Sequence, residues 1–147
     1  PFERNSSSGG SFEGPYQVQY DLQEMMQNLV GIVRRQDEMQ RALEGLAELW
    51  ERVRRVGVTG HREFNPGWHT ALDLPNLLTV SEAITHSALE RKESRGAHFR
   101  EDYPNKDVAN GKFNVTVRKG PEGEMRVGRA PIPELPDYLK QVIEETK

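Results

Sequence analysis

The densest run of directional side chains in the sequence is Arg91-Lys92-Glu93-Ser94-Arg95-Gly96-Ala97-His98-Phe99-Arg100-Glu101-Asp102-Tyr103-Pro104. Cations, carboxylates, a hydroxyl and an imidazole crowd a short stretch around one glycine. Gly96 can take the positive φ that closes a helix, and Lys92 and Arg95 complement a helix C-terminus. The pattern alone therefore reads as a helix C-cap with local ion pairs, each contributing little when exposed. The other candidates for chemistry are weaker. His61, His69, His86 and His98 include no His-Glu-x-x-His spacing, and with no cysteine in the chain, thiolate catalysis, disulfides and cysteine-held iron–sulfur sites are excluded. Arg52-Val53-Arg54-Arg55 is offset by Glu48 and Glu51, which reads as a solvated helix face. Carboxylates are plentiful, yet the sequence gives no reason to pair any two for acid–base work, and there is no Gly-x-Ser-x-Gly elbow. The sequence thus offers no catalytic, cofactor-binding or metal-binding residue.

The elements that must carry the dense stretch follow from periodicity. In a chain of 147 residues, 35% hydrophobic and 29% charged, there is room for one domain with a modest core. A net charge of −3 gives no electrostatic footprint for nucleic acid. No apolar run approaches the roughly 20 residues of a membrane span, so direct membrane insertion is not expected. Pro1 in place of an initiating methionine leads us to expect a piece of a longer polypeptide.

Residues 1–14, with Ser6-Ser7-Ser8-Gly9-Gly10-Ser11, have the composition of a flexible linker and lack the strand and lysine of a phosphate loop. Three helical stretches follow over 15–104. Gly14-Pro15 starts the first, with Val18, Leu22, Met25, Met26, Leu29 and Val33 on one face. Asp37 is the expected N-cap of the second, whose stripe is Met39, Leu43, Leu46, Trp50 and Val53. Its outer face pairs Glu48 with Arg52 and Glu51 with Arg55, and Gly57 and Gly60 end it. Asn65-Pro66 caps the third, which runs to about Lys92 with Leu77, Val80, Ile84 and Ala88 lining its core face. Pro75 must kink or split this helix. The fold class is mainly α: an antiparallel three-helix bundle, spectrin-repeat-like, followed by a small hairpin and a short helix over 105–147. The hairpin is predicted from Phe113, Val115 and Val117, a Gly120–Gly123 turn, and a return strand with Met125 and Val127. A short helix is predicted around Asp137–Glu145.

Glu93-Ser94-Arg95-Gly96-Ala97-His98-Phe99-Arg100-Glu101-Asp102-Tyr103-Pro104 resembles the ESRGAHxRxDxP segment of the succinate dehydrogenase and fumarate reductase flavoprotein subunit family. Leu22-Gln23-Glu24-Met25-Met26, Val30-Gly31-Ile32-Val33-Arg34, Asn76-Leu77-Leu78 and Ser87-Ala88-Leu89-Glu90-Arg91-Lys92 resemble the family's C-terminal helices, in its order, over roughly residues 15–130. His61–His69 is similar to a version found in some bacterial members. The resemblance implies a parent enzyme that interconverts succinate and fumarate through FAD. The flavin and the dicarboxylate would be held by FAD-binding and capping domains outside this chain, and electrons would pass to an iron–sulfur subunit. It also implies a cytoplasmic, peripheral location at the membrane. No residue here matches the family's flavin or substrate motifs, so the domain is expected to be inactive alone and to act in structure and docking. Ser94, Arg95, Gly96, His98, Arg100 and Asp102 are the expected docking motif, with polar groups satisfied only in the intact subunit. The rival readings are a stand-alone helical interaction module and the matching domain of L-aspartate oxidase, which carries a close relative of the motif.

Overall fold

The computed structural model describes residues 12–146. Three long helices, α1 (Pro15–Leu29), α2 (Gln36–Val53) and α3 (Pro66–Glu90), each pack on the other two. A two-residue parallel pair joins β1 (Val33–Arg34) to β2 (Phe99–Arg100). The hairpin β3 (Phe113–Lys119) and β4 (Met125–Pro131) lies against α3, and α4 (Asp137–Glu145) ends the described chain.

Helix starts follow local chemistry. Gly14 stands at the N-cap of α1 with Pro15 at N1, and the Asn65 carboxamide accepts from the Gly67 N–H at the start of α3. The start of α2 differs from expectation: Arg35, not Asp37, is the N-cap, and its side chain caps nothing. The missing acceptor comes from 66 residues away, where an Asp102 carboxylate oxygen accepts from the Gln36 N–H at 3.2 Å.

The core gathers Val18 and Leu22 from α1, Leu46, Leu49 and Val53 from α2, and Trp68, Ala71, Leu74 and Leu78 from α3. Val56 and Val58, on the connection after α2, close its end. The stripes of α1 and α2 were legible in the sequence, except that α1 stops at Leu29, leaving Val33 exposed on β1. The α3 stripe is shifted. Leu77, Val80 and Ile84, expected in the core, are 36%, 57% and 44% exposed, while Ala71, Leu74, Leu78, Thr85 and Ala88 are buried. Pro75 neither splits nor ends the helix, which runs as one element of 25 residues. Packing against α1 and α2 holds it across the hydrogen bond that proline cannot donate.

Two further corrections concern the ends of the bundle. Residues 12–14, assigned to the linker, are part of the fold; residues 1–11 lie outside the described residues. Glu13 pairs with Val56 as a parallel bridge, and the Gly57 N–H donates to the Glu13 carbonyl at 3.1 Å. A β-carbon on Gly57 would fall 2.4 Å from the Phe12 ring, so glycine is what admits this packing. Helix α2 ends at Val53, short of Gly57, and Arg52 turns from the outer face to Glu13 and Asp21. Those two carboxylates hold the Arg52 guanidinium firmly in its charged form.

Candidate functional site

The last turn of α3 exposes its carbonyls to whatever follows, as every helix C-terminus does. Here one side chain meets them. Arg100 on β2 is fully buried, and its Nη1 donates to the carbonyls of Ala88, Leu89 and Arg91 at 2.9, 3.3 and 3.3 Å. The rest of its fork grips Asp102, Nε to Oδ1 at 2.7 Å and Nη2 to Oδ2 at 2.6 Å. Because the same carboxylate accepts from the Gln36 N–H, a cation sits on the negative end of α3 and an anion on the positive end of α2. The guanidinium and this backbone donor keep the Asp102 carboxyl below its ordinary range, against the opposing effect of burial. The Tyr103 ring stacks under the Arg100 guanidinium, 4.9 Å from ring centre to carbon.

A second carboxylate, missed as a site residue, anchors the other half. Glu93 is fully buried, and its oxygens accept from Arg91 Nη1 (2.6 Å), Arg95 Nε (2.9 Å), Arg95 Nη2 (3.0 Å) and the Asp107 N–H (2.9 Å). Hydrogen bonding from Arg95, strengthened by the Asp107 N–H and Arg91, outweighs desolvation and pulls its carboxyl down from 4.5 to about 2. Arg91 continues to the carbonyls of Asn110 and Phe113, both at 2.9 Å, and so ties the base of the hairpin to the end of α3. The Phe113 ring lies between Arg91 and Arg129, and Arg129 pairs with Glu90 at 2.7 Å.

The remaining motif residues complete the turn. Ser94 Oγ donates to the Tyr103 carbonyl at 2.9 Å and accepts from the Arg100 N–H at 2.8 Å. Arg95 and His98 exchange backbone hydrogen bonds across a two-residue turn, and Gly96 there has φ +60°. The positive φ was foreseen for a helix cap; it serves a hairpin-like turn instead, because α3 already ends at Glu90. Arg95 lies over Gly111, where a β-carbon would meet its Nη2 at 2.7 Å. His98 Nδ1 stands 2.6 Å from Arg34 Nη1 and His98 Nε2 stands 3.1 Å from the Arg91 carbonyl. Arginine can only donate and a carbonyl only accept, so the ring is neutral with its proton on Nε2. Burial, reinforced by the charges of Arg34, Arg100 and Arg91, lowers the His98 pKa, while the Arg91 carbonyl opposes that shift.

The structure thus brings Ser94, Arg95, Gly96, His98, Arg100 and Asp102 together, and adds Arg34, Arg91, Glu93, Asp107 and Asn110. It corrects one expectation about them: their polar groups already find partners within this chain. The buried Glu93 carboxylate and the partly exposed Asp102 carboxylate pair with three guanidiniums inside the loop, so no outside donor is needed for either carboxylate. The ensemble is a clasp joining the ends of α2 and α3 to the hairpin. Among the described residues, no three His, Asp or Glu side chains gather as a metal site. β1 leads into α2 through Arg35 rather than through glycines, and the N-terminus of α2 is already taken by Asp102.

With this geometry in view, the likenesses to known proteins are specific. The family described as fumarate reductase flavoprotein C-term matches residues 19–134. The fumarate reductase flavoprotein subunit of Mycobacterium tuberculosis is 35% identical over 116 residues, which cover 78% of this chain and 20% of that protein. The succinate dehydrogenase flavoprotein subunit of Coxiella burnetii is 40% identical over 110 residues, 74% of this chain and 19% of that one. Among solved structures, the Mycobacterium smegmatis Sdh1 complex in the apo form matches with a TM-score of 0.79 and 38% identity, over 98% of this chain and 25% of that chain. The chain therefore spans about a fifth of the length of the curated relatives it matches. A match running unbroken through the clasp and both of its flanking elements places the chain, as a C-terminal domain, in the succinate dehydrogenase/fumarate reductase flavoprotein family.

Proposed function

We propose that this domain is the structural brace of a flavoprotein subunit that interconverts succinate and fumarate, with the chemistry carried elsewhere in the same polypeptide. The observation that carries the reading is the continuous family match over residues 19–134, covering about a fifth of relatives that bear the fumarate reductase and succinate dehydrogenase names.

In that parent, FAD supplies hydride chemistry at a site outside this chain. The residues described here do not fit a dinucleotide cradle: both sheets are two-stranded, and the one strand entering a helix directly does so through Arg35. An iron–sulfur subunit would be the parent's partner in electron transfer. The chain's own part is mechanical. The clasp of Ser94, Arg95, Gly96, His98, Arg100 and Asp102 fixes α3 against α2 and the hairpin, so that docking to the FAD-binding and capping domains proceeds on a preformed shape rather than through unpaired polar groups. No described helix is long and apolar enough to cross a membrane. We place the subunit at the cytoplasmic face, held there by its complex.

The test is a full-length flavoprotein carrying this domain, co-expressed with its iron–sulfur subunit. Succinate-dependent dye reduction by the intact assembly, lost when residues 15–146 are deleted, supports the reading. Full activity and flavin content after that deletion would refute it.

A further inference from the structure

The C-terminal half of α3 carries apolar side chains on both its buried and its exposed side. From Asn76 to Leu89 its sole charged residue is Glu82, whereas the outer face of α2 exposes Arg41, Glu44, Glu48 and Glu51. A helix of that composition belongs between two covering layers. Within the described residues α1 and α2 cover Leu74 and Leu78 and the hairpin lies against part of the other side, yet Val80 and Ile84 remain 57% and 44% exposed. These two side chains, with Ala88, floor a groove of about 640 Å³ walled by Val115 of the hairpin and by Arg34 beside His98. The charged groups lining it are Arg34 and Arg91, with no carboxylate among them. Arg34 uses Nε on the Val30 and Gly31 carbonyls and Nη1 on His98, and its Nη2 has no acceptor among the described residues.

Resting on the proposed function, we infer that this groove seats a segment of the same flavoprotein chain from outside the domain, an apolar helix or extended stretch carrying one carboxylate that reaches Arg34. The relatives are about five times longer than the stretch they share with this chain, so each holds a large body able to supply such a segment. The apolar floor and the cationic wall set its chemistry.

The full-length flavoprotein, purified with its iron–sulfur subunit, tests this through p-benzoylphenylalanine placed at position 80 or 84, with positions 20 and 138 as controls. Tyr20 and Tyr138 are exposed elsewhere, on α1 and α4. Positions 80 and 84 should crosslink within their own chain to one peptide outside residues 12–146, with positions 20 and 138 giving none to it. Arg34→Glu should cut the yield from position 84 more than tenfold, while Arg34→Lys keeps at least half. Crosslinks from 80 and 84 to a second copy or to the iron–sulfur subunit overturn the assignment. If a control position, and neither 80 nor 84, reaches the chain's remainder, the brace reading survives and the groove does not. If no position reaches it, both fall.

Discussion

Removing the Arg100 guanidinium would strand the Asp102 carboxylate and leave the carbonyls at the end of α3 without their donor. Breaking a buried, hydrogen-bonded pair from one side costs about 3–5 kcal/mol. Arg100→Met should therefore lower stability by about 3 kcal/mol in urea unfolding, the lower end applying because Asp102 is partly exposed. Arg100→Lys should recover less than half of that, since an ammonium cannot fork between a carboxylate and a helix end. Equal stability of Arg100→Lys and the parent would contradict the bidentate role. Glu93 sets the acid limit. Its folded carboxyl, at about 2 against an ordinary 4.5, holds its proton less tightly than the unfolded one. Its contribution is then fully present above about 4.5 and fades as pH falls toward 2. Melting temperature followed from pH 7 to pH 3 should drop, and Glu93→Gln should start lower and fall less steeply. At this scale the sequence marked the right stretch but misjudged how it is satisfied. Glu93 stood in plain view among the motif residues, yet its full set of donors includes the Asp107 N–H, which arrives only when the chain folds back. Arg34 reaches His98 across 64 residues, a pairing that no local spacing encodes.

Among the elements, α3 separates what periodicity reveals from what it hides. Its existence, its Asn65-Pro66 start and its approximate end were all legible. Its buried face was not, because a helix apolar on both sides has no single stripe to read. The structure makes the difference measurable. Leu78→Ala should cost about 2–5 kcal/mol by opening the core, whereas Val80→Ala in this same chain should stay within about 0.5 kcal/mol. Chemical denaturation of the two variants decides it, and equal losses would mean that α3 is rotated from the arrangement described. The start of α2 was misread for a related reason. Its cap is supplied by Asp102 through the tertiary fold, while Asp37 supplies only first-turn charge. At the other end, Gly57→Ala should destabilise by about 1–3 kcal/mol, because the new methyl collides with the Phe12 ring. Phe12→Ala should remove most of that penalty in the double variant, and additive losses would place Phe12 elsewhere.

At the scale of the whole molecule, the described chain is a closed bundle with a satisfied clasp and two unsatisfied surfaces. One is the α3 groove. The other is α4, whose Tyr138, Leu139, Val142 and Ile143 all face solvent. The chain thus has the internal order of a domain and the exposed apolar area of a part. That contrast was only half visible in the sequence: the helices, hairpin and family resemblance were there, and the uncovered faces emerge only once the bundle core is known. A domain that braces a flavin-bearing body should not hold flavin itself. Titrating the purified 147-residue chain with FAD, then adding succinate and a redox dye, tests it directly. Flavin fluorescence should stay unchanged at every protein concentration, with no dye reduction. Saturable quenching, or turnover of the dicarboxylate by this chain alone, would contradict the brace role.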